Sequence, residues 1–284
     1  MNSSSRTRLA LLGTGTPNPD PERQGAGYLI LVDQQPYLFD VGPGVVRRAA
    51  ALTESHPDEL ERFSVSQLSR VFLTHLHADH TAGFPDLLLT PWIAGRDRPL
   101  EVWGPPGTER LVSGVQTAYQ ADIDYRLTGL EPADSQGWKT AVIEYGQGVI
   151  YRDERIQVEA FRVCHGAMPH CFGFRVSTPD REIVLSGDTR PCENVVTHSQ
   201  EADILIHEVY AAKALEQRPA VWRTYHRAHH TSGLELAELA GQVQPQLLIL
   251  THALLWGASE GNLLEEIQSR YAGPVVLGAD LDLY

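Results

Sequence analysis

Four side chains that bind divalent metals, His75, His77, Asp79 and His80, fall within six positions, directly after the apolar run at 71–73. No other feature constrains the fold as tightly. Gathering three imidazoles and a carboxylate this closely needs a rigid strand end from which one loop turns every side chain inward. Imidazole with carboxylate suits zinc and related dications. A polar loop with chance histidines would not reach this density.

The flanking pattern supplies such strands. Short apolar or alternating runs at 8–13, 27–33 and 36–40, bounded by Gly, Pro and Asp, predict strands joined by tight turns. Next come an expected helix over 45–52, a buried strand over 70–74 and a helix over 84–94 that Pro91 shortens or kinks. A strand over 100–103 and a helix over 108–120 follow. From 140 to 185 the reading is mostly strand, at 141–145, 149–151, 156–163, 171–176 and 182–185. The tail alternates strands at 204–207, 247–251 and 275–278 with helices at 234–242 and 263–271. Two β-rich halves, each followed by helices, predict an α/β fold of two sheets packed face to face with helices outside, a four-layer αβ/βα sandwich.

Composition sets the outer bounds. With 284 residues, 42% of them hydrophobic and 21% charged, the chain is globular and reads as one domain over 1–284, residues 1–7 forming a disordered polar leader. Lys and Arg number 23 against 36 Asp and Glu, a net charge of −13, so the molecule as a whole repels polyanions and nucleic acid is a disfavoured partner. Three cysteines, Cys164, Cys171 and Cys192, are too few for a disulfide framework and fit a reducing, cytoplasmic setting. No apolar run approaches the ~20 residues of a membrane span, so no membrane association is expected.

More ligand-type residues stand at predicted strand ends: His165 after 156–163, Asp188 in the turn Ser186-Gly187-Asp188-Thr189, the pair His207-Glu208, and His252 after Leu250-Thr251. The pattern H-x-H-x-D-H after a strand resembles the metal signature of the metallo-β-lactamase superfamily, and these later contexts resemble its third histidine, bridging aspartate and last histidine. The likeness runs from about Leu9 to the C-terminus and takes in 13–17 and 39–42. Within the superfamily, His207-Glu208 resembles the H-E-A-T motif, and His230-Thr231-Ser232 the H-S-T helix start, of the ribonuclease Z and zinc arylsulfatase branch.

This resemblance implies that His75, His77 and His165 hold one zinc and Asp79, His80 and His252 a second, with Asp188 between them; manganese or iron suits the same donors. It implies a hydrolase in which a hydroxide bridging the two metals attacks an ester. The catalytic set is then Asp79, His230 as general acid and Glu208 as its partner, with His226 and His229 as rivals for the acid. The net positive spot made by two dications on an acidic protein favours a small phosphate or sulfate ester. Transfer-RNA 3′-processing of the ribonuclease Z type is the alternative, weakened by the acidic charge and the lack of an extended Gly/Pro-rich arm. Lactone or thioester hydrolysis and a non-catalytic zinc-binding module are the remaining readings. Members of the branch often pair into homodimers, and a homodimer is the expected assembly.

Several features receive plainer readings. His165 is preferred over His170 as ligand because it ends its strand directly. Gly13-Thr14-Gly15 lacks the further glycines of a nucleotide fingerprint and reads as a turn near the metal rim. His56 and His198 read as surface residues, Cys164 and Cys171 as small buried thiols, and Trp222 and Trp256 as candidates for an apolar substrate wall. Asp280 and Asp282 are either solvated or cap a loop.

Overall fold

The computed structural model describes residues 6–58, 60, 63–131 and 133–284. It groups the chain into two compact units, Met1–Tyr145 with Asp280–Tyr284, and Gly146–Ala279. No sequence signal marks the join, because 140–152 reads as strand followed by strand across a short Gly-containing turn.

In the first unit the strands β1 (Thr7–Gly13), β2 (Gly27–Val32), β3 (Gln35–Phe39), β4 (Arg70–Phe72), β5 (Leu100–Gly104) and β6 (Thr140–Glu144) form one sheet in sequence order. The first two pairings are antiparallel and the last three parallel. Every residue of β2 is buried, as expected of a strand covered on both faces. The helices are α1 (Val45–Ser55), α2 (Ala78–Thr81), α3 (Phe84–Ile93), α4 (Thr108–Ala118) and α5 (Gln120–Thr128). Leu29, Leu38, Val71 and Val102 of the sheet share a core with Ala49, Leu52, Phe84 and Leu88 of the helices. Thr7 is buried and pairs with Val32, so the expected polar leader is corrected at its end: Thr7 belongs to the sheet, and positions 1–5 lie outside the described residues.

Two features of this unit go beyond what the sequence shows. Pro91 lies inside α3, two residues before its end. It has no N–H for the Leu87 carbonyl, but the Arg96 guanidinium donates to that carbonyl at 2.9 Å and to those of Leu68, Leu88 and Gly137 at 2.6–3.0 Å. Arg96 is 1% exposed, and burial pulls its pKa down to about 10, still cationic at neutral pH. Asp280, which the sequence left open, is a clamp. Its carboxylate accepts from Thr14 N and Oγ1, from Gln24 N and from Arg48 Nε at 2.8–3.2 Å, tying the Gly13-Thr14-Gly15 turn to the returning C-terminus.

In the second unit β7 (Gly148–Arg152), β8 (Gln157–Arg162), β9 (Phe172–Ser177), β10 (Glu182–Leu185), β11 (Ile204–Tyr210), β12 (Leu247–Leu254) and β13 (Val275–Leu277) form a sheet ordered β13-β12-β11-β10-β9-β8-β7. The four strands β10 to β13 pair in parallel and the rest antiparallel. Helices α6 (Glu193–His198), α7 (Ala212–Glu216), α8 (Ala220–His229), α9 (Gly233–Val243) and α10 (Glu260–Gln268) complete it. Val184, Leu205, Leu248 and Leu250 pack with Leu236, Ala240 and Leu263. The expectation of surface histidines is corrected twice: half-buried His56 meets the Leu281 carbonyl at 2.7 Å, and half-buried His198 stacks on Phe161 at 4.3 Å.

Candidate metal and catalytic side chains

In the first unit the ligand-type side chains leave the end of β4. Tyr145 fixes that end, its hydroxyl donating to the Leu73 carbonyl at 2.6 Å. Beyond it Thr74 turns back on Asp40, donating N–H and hydroxyl to the two carboxylate oxygens at 2.8 Å each. Because the Thr74 hydroxyl proton is committed to Asp40, the 3.0 Å contact of Thr74 Oγ1 with His75 is made by the His75 Nδ1–H. His80 Nδ1–H likewise donates to Asp40 Oδ2 at 2.8 Å. Both rings are thereby held in the tautomer with an unprotonated Nε2, the outer-shell arrangement usual for metal-bound histidine.

The inner atoms converge. His75 Nε2 lies 3.0 Å from His77 Nδ1, and His80 Nε2 lies 3.6 Å from Asp79 Oδ2. His75, Asp79 and His80 are all buried. Backbone crowding lets the loop close: a side chain at Gly42 would collide with the Asp79 carbonyl.

In the second unit each side chain comes from the end of a strand. His165 follows β8 and donates Nδ1–H to the His229 carbonyl at 2.9 Å, leaving Nε2 at 3.9 Å from Asp188 Oδ2. Asp188 follows β10. His252 Nε2 reaches the same Asp188 oxygen at 3.5 Å. The ladder of β11 and β12 shows how His252 gets there: Glu208 opposes Thr251 and Val209 opposes Ala253, so His252 is the extra residue of a bulge, with φ +47°. Such bulges re-aim one side chain out of the pleat.

Glu208 and His230 stand beside this group. His230 Nδ1–H donates to Glu208 Oε1 at 3.2 Å, and the same oxygen accepts from Thr189 N at 3.0 Å and Thr231 N at 3.3 Å. Ligand-type atoms of Glu208, His230 and His252 lie within 4.8 Å of one another. Burial, and then the negative charge of Asp188, push the Glu208 carboxyl well above the usual range. The two rivals make other contacts. His229 spends its Nδ1 on the Tyr225 carbonyl at 2.8 Å, and His226 is tucked among aromatic rings. His170 is half-buried and belongs to no converging group among the described residues. Cys171 is buried as expected, whereas Cys164 is only half-buried and lies 3.2 Å from Cys192 Sγ.

Two residues with clear roles here, Asp40 and Thr74, were not singled out from sequence. The available signal was an aspartate ending an apolar strand in Phe39-Asp40-Val41-Gly42.

Comparison with known proteins shows what the chain is similar to. Residues 36–253 match the family model described as a beta-lactamase superfamily domain. A ribonuclease Z of Mycobacterium bovis (strain BCG / Pasteur 1173P2) is 31% identical, with 96% of each chain covered. A ribonuclease Z of Mycolicibacterium gilvum (strain PYR-GCK) is 31% identical over 96% of this chain and 94% of the relative. Among solved structures, the metallo-beta-lactamase fold protein YhfI from Bacillus subtilis has TM-score 0.72 at 19% identity, covering 99% of each chain. The short form of human tRNase Z has TM-score 0.69 at 23% identity, covering 98% of each. At these identities the structures speak for the fold alone.

Proposed function

This chain belongs to the beta-lactamase superfamily, has its α/β sandwich fold and is a metal-dependent hydrolase of ester bonds, and we propose that it is a phosphodiesterase of the ribonuclease Z type, cutting precursor transfer RNA on the 3′ side. The observation that carries this reading is the buried Glu208–His230 pair in a chain 31% identical to proteins named ribonuclease Z over nearly its full length. A general acid is needed because the leaving group of a phosphodiester is an alkoxide, which departs slowly unless protonated.

On this reading both sets of strand-end side chains serve as metal ligands. His75, His77 and His165 would hold one zinc, and Asp79, His80 and His252 the other. Asp188 would add its carboxylate to the set, and manganese or iron would suit the same donors. The donor set fits such ions: the outer nitrogens of His75, His80 and His165 are occupied by hydrogen bonds, so the inner nitrogens are the ones offered. Bound divalent ions supply Lewis acidity there, activating water and balancing charge on the phosphoryl oxygens. Asp40 and Thr74 keep the rings in place. His230 donates a proton to the leaving oxygen, and Glu208, fixed by two backbone N–H groups, aims the imidazole.

A second reading, a small phosphate or sulfate ester as substrate, is favoured by the net charge of −13 and by a sequence that carries no extended Gly/Pro-rich arm. Incubating the metal-loaded protein with a labelled transfer-RNA precursor bearing a 3′ extension separates the two. A single endonucleolytic cut abolished by chelation is expected. Turnover of a bis-aryl phosphodiester or aryl sulfate with the precursor left intact would replace the first reading by the second.

A further inference from the structure

Among the described residues, helix α8 is unlike every other long helix: none of its ten residues is buried. Amphipathic surface helices normally sink one face into the core. Here Val221, Trp222 and Tyr225 are 72%, 47% and 39% exposed, an unusual display of large apolar surface. The rings are ordered. Trp222 stacks on His226 one turn later (5.8 Å, 27°), and His226 leads on to His230 at 5.6 Å. Alongside, Tyr225 stacks on His229 at 4.1 Å and 21°. Trp256 backs the row, 4.5 Å from the His226 ring. Two parallel rows of rings therefore run along the helix, one of them from solvent at Trp222 to the general acid at His230.

The charge around these rings is opposite to that of the whole molecule. Over 211–230 stand Lys213, Arg218, Arg223 and Arg227 against a single carboxylate, Glu216, in a chain of net charge −13; Glu216 pairs with Arg227, and Arg223 is held at the helix by the Glu216 and Arg218 carbonyls, so the segment keeps a positive excess. Exposed aromatic rings interleaved with arginines are what single-stranded nucleic acid needs, bases on the rings and phosphates on the guanidinium groups. The eight residue steps from Trp222 to the C-cap His230 span about 12 Å, room for about three stacked nucleotides at ~3.4 Å each.

We propose that the exposed face of α8, with Trp222 and Tyr225 flanked by Arg223 and Arg227, is the platform on which unpaired nucleotides next to the scissile phosphodiester stack. This rests on the ribonuclease Z reading and specifies how an acidic protein grips RNA without an arm.

The test is steady-state cleavage of a precursor transfer RNA by the metal-loaded wild type and by Trp222→Ala/Tyr225→Ala, with metal content and melting temperature checking that the variant is folded and loaded. Loss of stacking raises KM by about 5- to 150-fold, the ~1–3 kcal/mol per base typical of such contacts, with kcat within about threefold. Trp222→Phe recovers most of the loss. A precursor with abasic sites beside the scissile bond gives the wild type the variant's high KM and costs the variant nothing further. Wild-type cleavage with KM indifferent to both changes overturns the platform and leaves the ribonuclease reading standing. No cleavage by the wild type overturns the ribonuclease reading and the platform with it. A dimer that dissociates in the variant while KM is unchanged assigns the surface to a second copy of the chain instead.

Discussion

The Nδ1–H of His80 donates to Oδ2 of Asp40 across 2.8 Å, and the same oxygen takes the hydroxyl of Thr74. Asp40 is 1% exposed and sits at φ +56°, a left-handed conformation that a non-glycine residue holds only when its surroundings impose it. One buried carboxylate thus fixes the orientation of His80 directly and of His75 through Thr74.

Replacing Asp40 by alanine is therefore expected to leave all seven proposed ligands in the chain while loosening two of them. Metal affinity should fall about 10- to 100-fold, the usual cost of losing an outer-shell partner. Competition against a chromogenic chelator reads this directly. Unchanged affinity would mean that the His80 ring is held by something other than Asp40.

The contrast between Asp40 and its neighbours explains what the sequence could reveal. His75, His77, Asp79 and His80 are legible because they cluster within six positions, and His165, Asp188 and His252 because each ends an apolar run. Asp40 lies 35 residues before the first of them, and nothing local tells a buried acceptor from an ordinary strand-end aspartate. The strands were readable for the same reason that α8 was not. Burial on both faces writes a short continuous apolar run into β2 and into the start of β11, whereas a helix with no buried residue leaves no such trace. Arg96 was equally hidden, since its role as substitute donor for Pro91 appears only once the helix is folded around it.

His77→Ala and His230→Ala should fail in different ways. The first removes a nitrogen that lies 3.0 Å from His75 Nε2 and should lower both bound metal and activity. The second should keep its full metal content while kcat drops by about 10²- to 10⁴-fold, the span of a general acid. Elemental analysis beside turnover of the same samples distinguishes them. Metal loss on His230→Ala would make His230 a ligand.

Arg96→Met tests the account of α3. Methionine fills much of the same volume but leaves the carbonyls of Leu68, Leu87, Leu88 and Gly137 without their guanidinium donor, all of them inside the fold. With each unsatisfied group costing about 1–3 kcal/mol, a loss of at least about 3 kcal/mol is expected in urea unfolding at neutral pH. A loss under about 1 kcal/mol would show that Pro91 needs no substitute donor.

His207 supplies a pH-dependent contribution to stability whose sign is fixed by its surroundings. It is fully buried on β11, its Nδ1–H given to the Glu208 carbonyl at 2.6 Å, and burial pulls its pKa from 6.5 down to about 4. Between those values the unfolded chain carries a proton on this ring and the folded chain does not. Stability is therefore complete above pH 6.5, declines as pH falls below it, and stops changing below about pH 4. From pH 7 to pH 4.5 the ring alone accounts for about 2 kcal/mol. His207→Asn, which keeps a donor for the carbonyl but cannot titrate, should lose about 2 kcal/mol less than the wild type over that interval in matched urea melts. Equal losses in the two proteins would mean that the His207 ring takes up its proton without unfolding, and that its pocket admits charge or water.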